Sequence, residues 1–280
     1  MLRLRVLTAA IGVPLILFLF LGGDLQWRKF FLAGCAVYSL WEMLGLTTRA
    51  AITAGVEPAN INQGRSVRLF VFVTISAVVL QLVASDADVG VAIPALIAVA
   101  FIAPLFYLSV KLEPSQLYPM ASGVMIAVVW AVTPWFFLLD LLVEREHFSG
   151  WLLFLLAVVW MGDTGGYFGG RFFGKNKLAP HISPKKTVEG AVVGLVASGI
   201  GGCGMAQIVE ITDLSVPFIV LLSAILGAVG QMGDLVESLV KRYVGVKDSG
   251  TLLPGHGGFL DRVDGVLFAA PVLWVALKIY

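Results

Sequence analysis

With 280 residues, 59% of them hydrophobic, only 13% charged and a mean hydropathy of +0.93, the chain is too apolar for a water-soluble globule. Its apolar runs are long enough to cross a bilayer, so the composition points to an all-α, polytopic integral membrane protein. The net charge of +1 implies nothing about nucleic acid, because where the charges lie matters here more than their sum, and no nucleic-acid partner is expected; Cys35 and Cys203 both fall in apolar runs and suggest neither a disulfide framework nor a thiolate metal site.

Taken in order, hydropathy predicts about nine transmembrane helices, at roughly 6–22, 29–46, 67–84, 90–110, 119–143, 149–170, 187–209, 215–240 and 262–279. The first has a basic start but runs past signal-peptide length with no small-residue cleavage site, so it reads as a retained helix. Only SDAD at 85–88 separates the third span from the fourth. Charge then orients the set. With the N-terminus cytoplasmic, every Lys and Arg except Arg28, Lys29, Arg145 and Lys278 falls on the cytoplasmic side, while Asp24, Asp86, Asp88, Glu144, Glu146, Glu210 and Asp213 collect opposite. This puts the loops after the sixth and eighth spans on one side.

No repeat or linker marks a second domain, so residues 1–280 read as one integral membrane domain, with 1–145 mainly scaffold helices and 146–280 catalytic helices and cytoplasmic loops. Glu42 is the exceptional charge within the scaffold spans. Gly190-x-x-x-Gly194, followed by Ser198, has the spacing that lets helices approach closely, favoured here as internal packing; a homodimer stays open.

Polar chemistry concentrates in two stretches after residue 160. The first starts inside the sixth span at Asp163 and Thr164, leaves through a glycine-rich turn, and supplies Arg171, Lys175, Lys177, Lys185 and Lys186. Ser183 or Thr187 is placed to cap the next helix, with Glu189 in its first turn. Alone, this stretch reads equally as a basic loop holding anionic lipid headgroups, at about 1 kcal/mol per charge.

The second stretch, Gln231 to Asp264, gathers four Asp, Glu237, Lys241, Arg242, Lys247, Arg262 and His256 in an otherwise apolar region. Asp234, Glu237, Ser238 and Lys241 fall at i, i+3, i+4 and i+7, one face of a helix. Beyond Tyr243 the glycines and Pro254 break the helix, and Pro254-Gly255-His256-Gly257-Gly258 offers backbone N–H groups as a phosphate cradle. A carboxylate within an apolar helix costs about 2.5–3.5 kcal/mol unless paired or facing water, which singles out Asp163, Asp234 and Glu237. Glu237 also has a plain role open to it, pairing with Lys241 one turn on. For Asp234 and Asp261 a divalent cation is the stronger reading, since hard oxygen ligands stand beside many cations suited to a polyphosphate. His181 reads as an interfacial hydrogen bonder; for His256 a structural role and a phosphate contact both remain open.

These residues carry a resemblance. Ser238-x-x-Lys241-Arg242, then Lys247-Asp248, then Pro254-Gly255-His256-Gly257-Gly258-x-x-Asp261-Arg262-x-Asp264 resembles the signature of the phosphatidate cytidylyltransferase (CDP-diacylglycerol synthase) family, and Ser183-Pro184-Lys185-Lys186-Thr187 resembles a second element of it. Gly265 departs from the serine expected after the last aspartate. The resemblance implies the conversion of CTP and phosphatidate to CDP-diacylglycerol and pyrophosphate, requiring Mg²⁺, with a second cation left open. It implies metal-binding carboxylates at Asp234 and Asp261 and catalytic roles for those two with Lys241, Lys247, Asp248, Arg262 and Asp264. Substrate contacts are expected from Ser183, Lys185, Lys186, Thr187, Ser238, Arg242, Gly255, His256, Gly257, Gly258, Asp163 and Glu237. The partners are then CTP, phosphatidate and the lipid bilayer, and the expected location is the inner (plasma) membrane with the site facing the cytoplasm. Two other classes compete: a CTP-dependent polyprenol or other lipid kinase, and an ion-coupled transporter. Transporters of that kind show repeats and a midplane site, whereas these charges crowd one interface.

Overall fold

The computed structural model describes residues 24–55, 61–111, 114–144, 148–211, 214–252 and 257–279. They form α1 (Leu25–Thr53), α2 (Ile61–Ala84), α3 (Val89–Lys111), α4 (Pro114–Ala131), α5 (Thr133–Glu144), α6 (Phe148–Phe173), β1 (Lys177–Ala179), β2 (Ser183–Thr187), α7 (Val188–Ile208), α8 (Val216–Tyr243) and α9 (Leu260–Ile279). Among the described residues, five helical stretches are long and apolar enough to cross a membrane: Leu25–Thr53, Tyr118–Val143, Ser149–Phe173, Val188–Ile208 and Val216–Tyr243. The fold is thus all-α in its spanning elements. The expected span at 6–22 lies outside the described residues, and those at 67–84, 90–110 and 262–279 fall on α2, α3 and α9. In α9 the charges of Asp261, Arg262 and Asp264 delay the apolar run by more than a turn.

Two elements depart from expectation. The expected 119–143 span is two helices meeting at Val132, because Pro134 has no N–H to donate and its ring crowds the carbonyl one turn back. Segment 177–187, expected as a loop, is an antiparallel hairpin pairing Lys177 with Thr187 and Ala179 with Ser183, with an irregular register between.

The described residues divide into two compact units, one within Met1–Asp140 and Val240–Arg262, the other within Leu141–Leu239 and Val263–Tyr280. In the first, α1 packs on α2 and α4, and α3 on α2 and α4. The buried positions recur every fourth residue, as Val71, Ile75 and Val79 in α2 and Ala92, Leu96 and Ala100 in α3. The faces away from them carry exposed Leu69, Val73, Leu80, Phe101 and Ile102, an arrangement suited to lipid. Asp24 caps α1, its carboxylate accepting from Leu25 N–H at 2.6 Å.

In the second unit α6 and α7 make the closest helix pair. A Cβ at Gly190 would stand 2.7 Å from the Gly166 carbonyl oxygen, and one at Gly194 2.8 Å from that of Gly162. Gly165, Gly166, Gly169 and Gly170 are helical, as the expected 149–170 span has them and not as the glycine-rich exit turn placed after Thr164 would; without side chains they let the α7 backbone into contact. The Gly190–Gly194–Ser198 stripe serves internal packing, as expected, and Ser198 Oγ donates to the Val158 carbonyl at 2.9 Å.

Candidate active site

The second unit builds the first polar cluster. Thr187 caps α7, its hydroxyl oxygen accepting from Gly190 N–H at 3.1 Å, and Glu189 occupies the first turn. The Glu189 carboxylate accepts from the backbone N–H groups of Lys175 (3.0 Å) and Asn176 (3.2 Å) and from the Asn176 amide (2.7 Å), which closes the base of the hairpin. Strand alternation then separates the two central lysines. Lys185 is exposed, while Lys186 is half-buried and pairs with Asp234 Oδ2 at 2.7 Å. Asp234 Oδ1 accepts from Ser238 Oγ at 3.2 Å, as the i, i+4 spacing predicts. Ser183 opens β2 and is half-buried, Asp163 is exposed on α6, and Glu237 is fully buried on α8. Arg171, Lys175 and Lys177 are exposed beside the hairpin, as is His181 at its turn.

Also in this unit, Asp264 is buried and accepts from Gly265 N–H at 2.7 Å. The glycine at 265 has a packing reason: a Cβ there would lie 3.0 Å from Val159 Cγ1 and 3.2 Å from the Gly230 carbonyl oxygen, leaving little room for serine.

The first unit builds the second cluster. Helix α8 ends at Tyr243, where Gly245 takes φ +70° and Val246 N–H reaches the Lys241 carbonyl at 2.9 Å. The chain returns to α9 through a loop held by two carboxylates. Asp261 Oδ1 pairs with Lys241 Nζ at 2.5 Å, and its Oδ2 accepts from Ser249 N–H at 2.9 Å and Gly258 N–H at 2.8 Å. Both side chains of that pair are buried, with 9% and 5% of their surfaces exposed. Gly257, at φ +85°, sits where a Cβ would be 2.9 Å from Asp261 Oδ2 and 3.2 Å from Asp248 Oδ1. Lys247, Asp248 and Arg262 are exposed, and Arg242 donates to the Val246 carbonyl at 3.3 Å. Pro254, Gly255 and His256 lie outside the described residues.

The other loop carboxylate is Glu42, from α1. Its Oε2 accepts from Ser249 Oγ (2.9 Å) and Leu260 N–H (2.8 Å), and its Oε1 from Phe259 N–H (3.1 Å). The sequence reading assigns it no role in the site, although an ionisable residue inside an apolar span is the signal that finds it.

Among the described residues no group of three or more His, Cys, Asp and Glu side chains stands ready to hold a metal ion. What the clusters offer instead is charge: exposed cations around Lys186–Asp234, and exposed Lys247 and Arg262 beside a loop whose Ser249 and Gly258 N–H groups are held by Asp261. Clustered cations are components of a site for anionic phosphates.

Comparison with known proteins bears on that chemistry. A family model described as the cytidylyltransferase family matches residues 3–280. The chain is 48% identical to a protein named phosphatidate cytidylyltransferase from Staphylococcus saprophyticus over 133 residues, which is 48% of this chain and 51% of that one. It is 49% identical to its namesake from Staphylococcus haemolyticus over 127 residues (45% and 48%), and 45% identical to one from Staphylococcus aureus over 133 residues (48% and 51%). The match thus spans about half the length of each curated relative. Because the family match covers nearly the whole chain, signature and scaffold alike, this protein belongs to the cytidylyltransferase family.

Proposed function

We propose that this chain is a phosphatidate cytidylyltransferase, joining CTP and phosphatidate to give CDP-diacylglycerol and pyrophosphate at the cytoplasmic face of the inner (plasma) membrane. The observation that carries the reading is the tie of Asp261 to Lys241, Ser249 and Gly258, all within the signature stretch of a chain of this family. The names of the relatives support the lipid substrate.

The reaction fits these residues. The second ionisation of a phosphate monoester lies near pH 6, so the lipid phosphate is already anionic and attacks without a general base. Its oxygen forms a bond to the α-phosphorus of CTP, the bond from that phosphorus to the bridging oxygen breaks, and the electron pair leaves with pyrophosphate. The obstacle is repulsion between two polyanions. Lys185, Lys186, Lys247, Arg242 and Arg262 supply positive charge against that repulsion.

The resemblance also brings Mg²⁺, which when bound offsets charge on phosphate oxygens. Asp234 suits it: its carboxylate keeps 33% of its surface exposed, and it meets the Lys186 ammonium and the Ser238 hydroxyl. Asp261 suits it less well, because its two oxygens already accept three donors and an ion there would have to displace Lys241. Residues Asp234, Asp261, Lys241, Lys247, Asp248, Arg262 and Asp264 remain the proposed catalytic set.

The test uses purified protein in detergent with CTP labelled in the cytidine, phosphatidate and Mg²⁺. A cytidine-bearing lipid together with released pyrophosphate is the expected product. Released CDP with a phosphorylated lipid means a kinase, and no turnover of CTP overturns both.

A further inference from the structure

Glu42 sits on the scaffold helix α1, more than 200 residues from the segment it touches, and is 3% exposed. A carboxylate buried in an apolar helix is costly unless its oxygens are satisfied, and here Tyr38, one turn back on α1, hydrogen-bonds to it together with three donors from another part of the chain. Those three come from one short stretch: Ser249 Oγ, Phe259 N–H and Leu260 N–H. The last two belong to the start of α9, where a helix leaves N–H groups without internal partners and favours an anion. Glu42 therefore works as an end-cap supplied by another helix.

The surroundings are shaped to that carboxylate. A Cβ at Gly250 would stand 2.1 Å from Glu42 Oε1, and one at Gly258 2.5 Å from the Gly250 backbone nitrogen and 2.6 Å from Glu42 Oε2, so a side chain at either position would push the carboxylate or the backbone aside. Phe259, whose N–H is held, stacks on Trp135 at 6.1 Å and meets Tyr38 edge-on at 5.9 Å; Trp135 in turn donates to Ser39 Oγ at 3.2 Å. Ser249 is the residue that ties the two carboxylates together. Its hydroxyl goes to Glu42 while its N–H goes to Asp261 Oδ2.

We propose that Glu42 is a positioning residue: by holding Ser249, Phe259 and Leu260 it fixes the loop that orients Asp261, Lys247 and Asp248 toward the phosphates. The proposal rests on the cytidylyltransferase reading above for its catalytic consequence, but its structural content does not. Glu42→Gln retains the size and one acceptor oxygen, yet turns an NH₂ group toward N–H and O–H donors. A displacement of the loop by about an ångström costs on the order of 100-fold in kcat/KM.

The experiment compares wild type, Glu42→Gln, Ser249→Ala and the double variant in detergent, reading steady-state kinetics and amide hydrogen exchange on the folded fraction. Expected are faster exchange at Phe259 and Leu260 in Glu42→Gln, a loss on the order of 100-fold in kcat/KM, and a smaller loss in Ser249→Ala. The double variant should be no worse than Glu42→Gln alone, because the two side chains share one interaction. A purely structural Glu42 would lower the unfolding temperature and leave the kinetics of the folded enzyme unchanged, which overturns the proposal. Unchanged exchange at Phe259 and Leu260 overturns it as well. If Glu42→Gln does not fold, Ser249→Ala decides, with unchanged exchange and kinetics as the refuting result. Wild-type protein that transfers no cytidylyl group refutes the functional reading instead, and the exchange data still decide whether Glu42 anchors the loop.

Discussion

Asp234 and Asp261, the two aspartates expected to bind metal, sit in environments that make their substitutions diverge. Asp234 and Lys186 keep 33% and 27% of their side-chain surfaces exposed, and ion pairs so open to water contribute about 0–1 kcal/mol. Asp234→Asn should therefore fold with nearly wild-type stability while losing about 100-fold in turnover, the scale of one strong electrostatic contact in the transition state. Asp261 and Lys241 are buried, and removing one partner of such a pair leaves an uncompensated charge at a cost of about 3–5 kcal/mol. Asp261→Asn should then lose both activity and stability, since the one remaining oxygen can serve either Lys241 or the two backbone N–H groups, and the new NH₂ group faces donors on the other side. Magnesium separates the roles further. Raising Mg²⁺ should restore part of the Asp234→Asn activity and little of the Asp261→Asn activity. Thermal unfolding and Mg²⁺ titrations of both variants check this, and equal stability with equal rescue would contradict it.

At the level of elements, the α6–α7 pair explains what could and could not be read in the chain. Long apolar runs mark α1, α6, α7 and α8 directly, because a spanning helix needs about 20 such residues whatever its partners. The glycines at 165, 166, 169 and 170 mislead for a physical reason: in water they break helices, whereas between membrane helices they are contact surface. The hairpin is hidden too, since Ser183–Thr187 contains a proline and two adjacent lysines instead of an apolar alternation, and it is closed from outside its strands, by Glu189 in the first turn of α7. The capping residue Thr187 is legible, as is the Asp234–Ser238 face, because both depend on spacing alone. Pairings across tens or hundreds of residues, such as Lys186 with Asp234 or Glu42 with Leu260, depend on tertiary packing and leave no local pattern. The close approach gives a direct prediction. Gly190→Ala drives a Cβ to 2.7 Å from a backbone oxygen and 3.0 Å from the Gly170 Cα, neither of which can rotate away, so it should destabilise by about 1–3 kcal/mol. Gly199→Ala on the same helix meets nothing within 4 Å and should be neutral or stabilising by up to about 1 kcal/mol. Unfolding midpoints in one detergent rank the two, and the reverse order would refute the packing account.

For the whole molecule, the decisive property is which side of the membrane each polar segment faces. Basic residues near a membrane stay on the cytoplasmic side, and anionic lipid there attracts each by about 1 kcal/mol. Both signature segments are rich in them: Lys175, Lys177, Lys185 and Lys186 around the hairpin, and Lys241, Arg242, Lys247 and Arg262 around the second loop. The turn between α2 and α3 differs, carrying Asp86 and Asp88, with Asp86 paired to the buried Lys29 of α1 at 2.5 Å. That pair ties a lysine to the acidic side, which explains why Lys29 departs from the general charge bias. Single cysteines introduced at exposed Lys177, Thr251 and Ser85, in a background carrying Cys35→Ala and Cys203→Ala, read the arrangement out. Membrane-impermeant thiol reagents should label Lys177→Cys and Thr251→Cys only in inverted vesicles, and Ser85→Cys only in intact cells. CTP is a highly charged nucleotide that does not cross a bilayer unaided, so both segments must meet it on one side if they serve one reaction. Labelling of positions 177 and 251 from opposite faces would therefore remove the hairpin or the loop from the chemistry, and labelling of all three from one face would overturn the assigned orientation.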